Sequence, residues 1–182
     1  MSPNLAAELA TIFNQCFLQT ERTIVQIGGA EPIYLPADDD HSFHQIVTNL
    51  DYPASVLHEV SHWCLAGEAR RKLVDYGYWY APDGRTVQQQ SEFERVEVKP
   101  QALEWCLSLS SGVRFRLSAD NVNNPDAKSS DDFRHKVWQQ GCYYMAFGLP
   151  SRAGYFAKAL RAHFGIVETD WVKTVLNKDE LV

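Results

Sequence analysis

With 182 residues, 45% of them hydrophobic and 22% charged, the chain has enough apolar material for one core and is not a disordered segment. A formal net charge of −6 argues against direct nucleic-acid binding, which needs a basic surface to displace counterions. No apolar run approaches the ~18–20 residues of a membrane span, and Met1-Ser2-Pro3-Asn4-Leu5 lacks the basic start of a secretory signal. The expectation is a single domain over residues 1–182, cytoplasmic and with no membrane partner.

Residues 4–18 are predicted as an amphipathic helix, because Leu5, Leu9, Ile12, Phe13 and Phe17 recur at helical spacing. Short strands are expected at Thr23–Ile27 and Pro32–Leu35, separated by Gly28-Gly29, then a polar loop over 37–41 and another short strand at Ile46-Val47. A helix begins near Asp51-Tyr52-Pro53, where proline is tolerated in the first turn, and runs to Gly67. Residues 68–75 read as a second short helix. The run Tyr76-Gly77-Tyr78-Trp79-Tyr80 then leads to the turn Pro82-Asp83-Gly84. Ser91 followed by Glu94 fits a capping box that opens a helix to about Ser110, before Gly112. A polar loop over 118–131 precedes two helices at roughly 132–147 and 151–164. The fold class is α+β, mainly helical with a small β-sheet.

Cys16, Cys64, Cys106 and Cys142 form no CxxC pair, so a structural zinc knuckle is not supported. Their apolar contexts suit reduced core thiols.

Chemistry concentrates in His58-Glu59-Val60-Ser61-His62. Residues four apart on a helix sit one turn above each other, about 5–6 Å between Cβ atoms, so both imidazoles can reach one ion. Glu59 projects about 100° away and suits an acid or base better than a ligand. Val56, Val60 and Trp63 form a separate stripe that can anchor the helix. Cys64, about 200° round from His62, belongs with the core rather than the metal face.

Two histidines leave an ion short of ligands. A continuation of HExxH to Gly and a third His is excluded, because Leu65 and Glu68 stand at those positions. His41, His44, His135 and His163 have no histidine partner at helical spacing. A carboxylate from the next long helix is the better candidate, among Glu92, Glu94, Glu97 and Glu104. Glu94 is expected to be occupied by capping. Glu97 heads an inward polar stripe with Gln101 and Glu104, beside Pro100, a residue that breaks the helix rule and hints at a functional site. Glu97 is therefore the preferred third ligand, on a second ligand-bearing helix packed against the first. The bland alternative is that the helix restarts at Pro100.

Two histidines and a carboxylate serve two chemistries. A zinc peptidase or hydrolase keeps one position for water and uses Glu59 as general base. A non-haem iron oxygenase uses the same ligands on one face and leaves positions for oxygen and substrate. A metal that only staples two helices is a third reading. Ligand identity does not choose among them.

The stretches His58 to Gly67, Ala69-Arg70-Arg71, Val74 to Tyr80, Pro82-Asp83-Gly84-Arg85, Phe93 to Trp105 and Glu31 to Asp38 strongly resemble the bacterial elongation factor P hydroxylase family. The resemblance covers about residues 10–165. It implies a cytoplasmic oxygenase that hydroxylates a lysine of elongation factor P, one that has already received a β-lysyl group. It places the metal, Fe(II), on His58, His62 and Glu97. The familiar HxD pattern with a distant His and an Arg is missing, so 2-oxoglutarate is not predicted. For a long cationic substrate side chain, Asp75 offers an acidic stop and Tyr78 and Tyr80 aromatic walls. A core strand is the equal alternative for that aromatic run.

Overall fold

The computed structural model describes residues 4–49, 51–77, 85–118, 131–167 and 181. Its first helix, α1 (Leu5–Glu21), is opened by Asn4, whose side-chain oxygen accepts the Ala6 and Ala7 amides. It runs three residues past the expected end and stops at Arg22 in the left-handed region. Leu9, Phe13 and Phe17 lie on its buried face.

Three strands follow: β1 (Thr23–Gly29), β2 (Ile33–Leu35) and β3 (His44–Asn49). β3 is central, parallel to β1 and antiparallel to β2, with Val25 and Tyr34 both opposite Ile46. The third strand is longer than the Ile46-Val47 expected from pattern, because its ends are polar residues held by neighbours rather than by burial. Gly29 closes β1 at a register shift, and a Cβ there would lie 2.5 Å from Val47 Cγ1.

The next helix, α2 (Pro53–Leu65), has Pro53 in its first turn, as the sequence suggests. It ends in the extended Ala66, not in a left-handed glycine. Three carbonyls at that end, of Trp63, Cys64 and Ala66, accept from Arg152. Val56, Val60 and Trp63 are fully buried, and Cys64 is buried with them. Trp63 packs edge-on against Phe13 at 5.1 Å, and Phe13 also meets Phe156 at 5.6 Å. Complete burial of Phe13 and Phe156 stabilises the fold by roughly 1.5–3 kcal/mol each.

Residues 68–75 are not a short α-helix. They form 3₁₀ turns at Arg70–Lys72 and Val74–Gly77, with Asp75, Tyr76 and Gly77 at φ 46°, 57° and 68°. Tertiary contacts override the local preference here: Asp75 Oδ1 accepts the Tyr34 amide at 2.8 Å, and Arg70 Nε donates to the Tyr76 carbonyl at 2.8 Å. The Tyr76 ring stacks on Tyr34 at 4.3 Å.

The long helix α3 (Val87–Ser111) starts four residues before Ser91. Its capping box is Thr86 with Gln89, not Ser91 with Glu94. The two pairs share one spacing, and the helix takes the earlier because Gln88, Gln89 and Gln90 are good helix formers that extend it outward. Pro100 lies inside the helix, which does not restart there; Gly112 ends it at φ 72°. α3 is the central helix, packed against α2, α4 (Asp131–Phe147) and α5 (Ser151–Phe164). The architecture is α+β, mainly helical with a three-stranded sheet. Among the described residues no helix is long and apolar enough to cross a membrane.

Candidate metal centre

α2 buries Val56, Val60 and Trp63, so its opposite side carries His58 and His62 toward α3. The two rings stand 4.7 Å apart at 68°, with their Nε2 atoms facing each other at 3.1 Å. Glu97 reaches them from α3. Its Oε1 lies 3.3 Å from His62 Nε2, and its Oε2 lies 3.7 Å from His58 Nε2. The carboxylate is 2% exposed. Of the four glutamates weighed on α3, only Glu97 joins the histidines in a group able to hold an ion. Glu92 pairs with exposed Arg95 instead.

Glu104 does something the sequence reading missed. Its Oε2 accepts from His58 Nδ1 at 2.9 Å. That bond holds the ring with Nε2 turned to the centre, the outer partner that a metal-binding histidine usually has. The signal was present: Glu104 lies two turns from Glu97 on the same stripe. Gln101, between them, donates to the Ser118 carbonyl at 2.8 Å and accepts the Ser118 amide at 3.0 Å. It also approaches Glu97 Oε2 at 3.5 Å. All three residues are buried. Glu104→Gln is expected to lower metal affinity about 10–100-fold without unfolding the chain, read by competition with a chelating dye.

The donor set fits a divalent ion. Two ligands each about 2.1 Å from one ion, at tetrahedral or octahedral angles, lie about 3.0–3.4 Å apart. The observed separations of 3.1 and 3.3 Å fall within that range, and the third, 3.7 Å, lies just above it. Two imidazoles and a carboxylate on one side are the donor set of both non-haem iron and zinc sites.

Without the ion the same groups hold protons. Burial alone would lower His58, but the hydrogen bond and charge of Glu104, with Glu97 and Glu59, lift it to about 10. Burial would raise Glu97, yet His62 above all, then His58 and Gln101, hold it down at about 2. Around neutral pH the centre is thus an ionised carboxylate facing a protonated His58. A metal must displace the proton on His58 Nε2 while the one shared with Glu104 stays. At least one proton per ion should therefore be released at pH 7–9, and affinity should climb with pH through that window. Calorimetry in buffers of different ionisation heat measures the number; none released would refute this charge state.

Glu59 is not a member of the ligand group formed by His58, His62 and Glu97. Burial pushes its carboxyl up, against the pull of His58 and His62. Asp75 sits close enough to act on Glu59, but its carboxylate is engaged by the Tyr34 amide. Tyr78 and Tyr80 lie outside the described residues. Tyr76, which no sequence pattern singled out, is 4% exposed, and its hydroxyl meets no partner among the described residues.

The family model described as elongation factor P hydroxylase matches residues 12–173 of this chain. The chain belongs to that family. A curated relative from Haemophilus influenzae, the elongation factor P lysine hydroxylase, is 48% identical over 158 residues, covering 86% of this chain and 88% of the relative. The family match takes in α2, α3 and the whole centre described above, so membership and site geometry concern the same part of the molecule.

Proposed function

We propose that the chain is an oxygen-dependent hydroxylase of elongation factor P, acting on its β-lysylated lysine in the cytoplasm. The carrying observation is that a chain of this family brings His58, His62 and Glu97 together at ligand distances. Fe(II) is the proposed ion, because the hydroxylase relative points to oxygen chemistry and this donor set, though shared with zinc sites, leaves positions for oxygen and substrate on iron. When bound, it supplies the redox chemistry that activates dioxygen.

The residues of the chain do the rest. Glu104 fixes the His58 ring, and Gln101 with Ser118 fixes the strip of α3 that carries Glu97. Glu59 and Asp75 put negative charge beside the centre, which suits a substrate carrying ammonium groups. A Glu59 carboxyl that burial pushes up holds a proton more readily than a free one, which suits it to take and return one. Asp75 as acidic stop, with Tyr78 and Tyr80 as walls, completes the proposed substrate channel.

The test is mass spectrometry of β-lysylated elongation factor P after incubation with the protein, Fe(II), oxygen and a reductant. One added oxygen on the modified lysine is expected, with Glu59→Gln at least about tenfold slower. Peptide cleavage with Zn(II) and no oxygen gain would support the hydrolase instead. Full hydroxylation by Glu59→Gln would remove the role given to that residue.

A further inference from the structure

Beside the centre, on the side of His62, lies a cavity of about 220 Å³ between the end of α2 and the first half of α3. His62 forms one wall, Leu65, Val96 and Pro100 are apolar, and Arg70 and Lys99 supply two cations. No lining residue is acidic, in a chain whose acidic residues outnumber its basic ones by 23 to 17. Arg70 is held in place by the bond from its Nε to the Tyr76 carbonyl. The lining of this cavity is thus cationic and apolar.

A cationic substrate side chain is repelled by such a lining. The basic cavity is left for something else, small and negative. Hydroxylation of a C–H bond by dioxygen also needs two electrons that neither the lysine nor the chain provides. Resting on the function proposed above, we propose that this cavity binds a small organic anion, an enediolate or a 2-oxo carboxylate, as the electron donor of the reaction. With an enediolate, the C–H bond breaks and one oxygen atom enters the lysine. The other leaves as water, as the donor loses two electrons and its proton and the solvent adds one proton. With a 2-oxo acid, the second oxygen atom enters the donor's new carboxylate as its carbon–carbon bond breaks and carbon dioxide departs.

Lys99 is the residue to change, because it is exposed on α3 and its replacement by Glu cancels the cavity's net positive charge without touching the core. Ascorbate and 2-oxoglutarate are the probes, and neutral dithiothreitol the control. Binding to the zinc-loaded full chain is followed by ligand-observed NMR, which needs no turnover. One of the two anions should bind. Lys99→Glu should weaken it about five- to tenfold, the size of one partly screened charge contact. Lys99→Arg should restore it. In turnover, the KM for that donor should rise by the same factor, while the KM for elongation factor P, metal affinity and melting temperature stay put. Neither anion binding, or equal binding by Lys99→Glu, overturns the proposal. So does a rise confined to the KM for elongation factor P, which would assign the cavity to the protein substrate. Lys99-dependent binding without any oxygen transfer upholds the anion site and sinks the hydroxylase reading.

Discussion

Glu97→Gln should leave a folded protein that no longer keeps its metal and no longer hydroxylates. The substitution preserves shape and a contact to Gln101 but removes the only carboxylate among the described residues within ligand distance of both His58 and His62. In the protein this group is held at about 2, so it is a full anion at every pH where the chain would be assayed. A neutral amide oxygen offers neither that charge nor that donor strength. The loss should exceed the ~10–100-fold expected for an outer partner such as Glu104. Metal content after dialysis and oxygen gain on the substrate measure both halves. A variant that retains one equivalent of metal would show that α3 contributes no ligand. Glu92→Gln, on a surface pair of the same helix, is the matched control and should behave as wild type.

The second large effect lies away from the ligands, at Arg152. Its guanidinium reaches from α5 to the last turn of α2, donates to the carbonyls of Trp63, Cys64 and Ala66, and lies over the Trp63 ring at 4.6 Å. These carbonyls have no further helical turn to accept from, so Arg152 supplies what the chain end lacks. Arg152→Ala strands them and removes the cation from the indole face. A destabilisation of about 2–4 kcal/mol follows from charged hydrogen bonds and a partly buried cation–π contact. At about 2–4 °C per kcal/mol for a chain of this size, melting should fall by roughly 5–15 °C. Because His62 immediately precedes Trp63 and Cys64, metal affinity should weaken too. Arg152→Lys should recover only part of the stability, since an ammonium lacks the planar guanidinium that lies over the Trp63 ring. Thermal melts of the metal-free and metal-loaded forms separate the two consequences, and unchanged melting would show that α2 is held by its apolar face alone.

Most of the helices were legible because each writes its burial into a local period. Leu9, Phe13 and Phe17 on α1, and Val56, Val60 and Trp63 on α2, are spaced as they are buried. The start of α3 was misplaced because two capping boxes of equal form lie five residues apart, and only the helix-forming Gln88, Gln89 and Gln90 between them favour Thr86–Gln89 over Ser91–Glu94. The segment after α2 was misread for another reason. Its left-handed Asp75 and Tyr76 are held by Arg70 and above all by Tyr34, a partner that no window over 68–75 contains.

By itself the sequence determined that two imidazoles would share one helical face, since i, i+4 spacing is a property of the backbone and needs no other part of the chain. It also marked the polar stripe of α3 as unusual. Only the tertiary structure decided which of four glutamates meets the histidines, and that Glu104 binds the back of His58 rather than the ion. The phase and depth of α3 against α2 set those choices. They come from packing between residues far apart in the chain, which local periodicity does not encode.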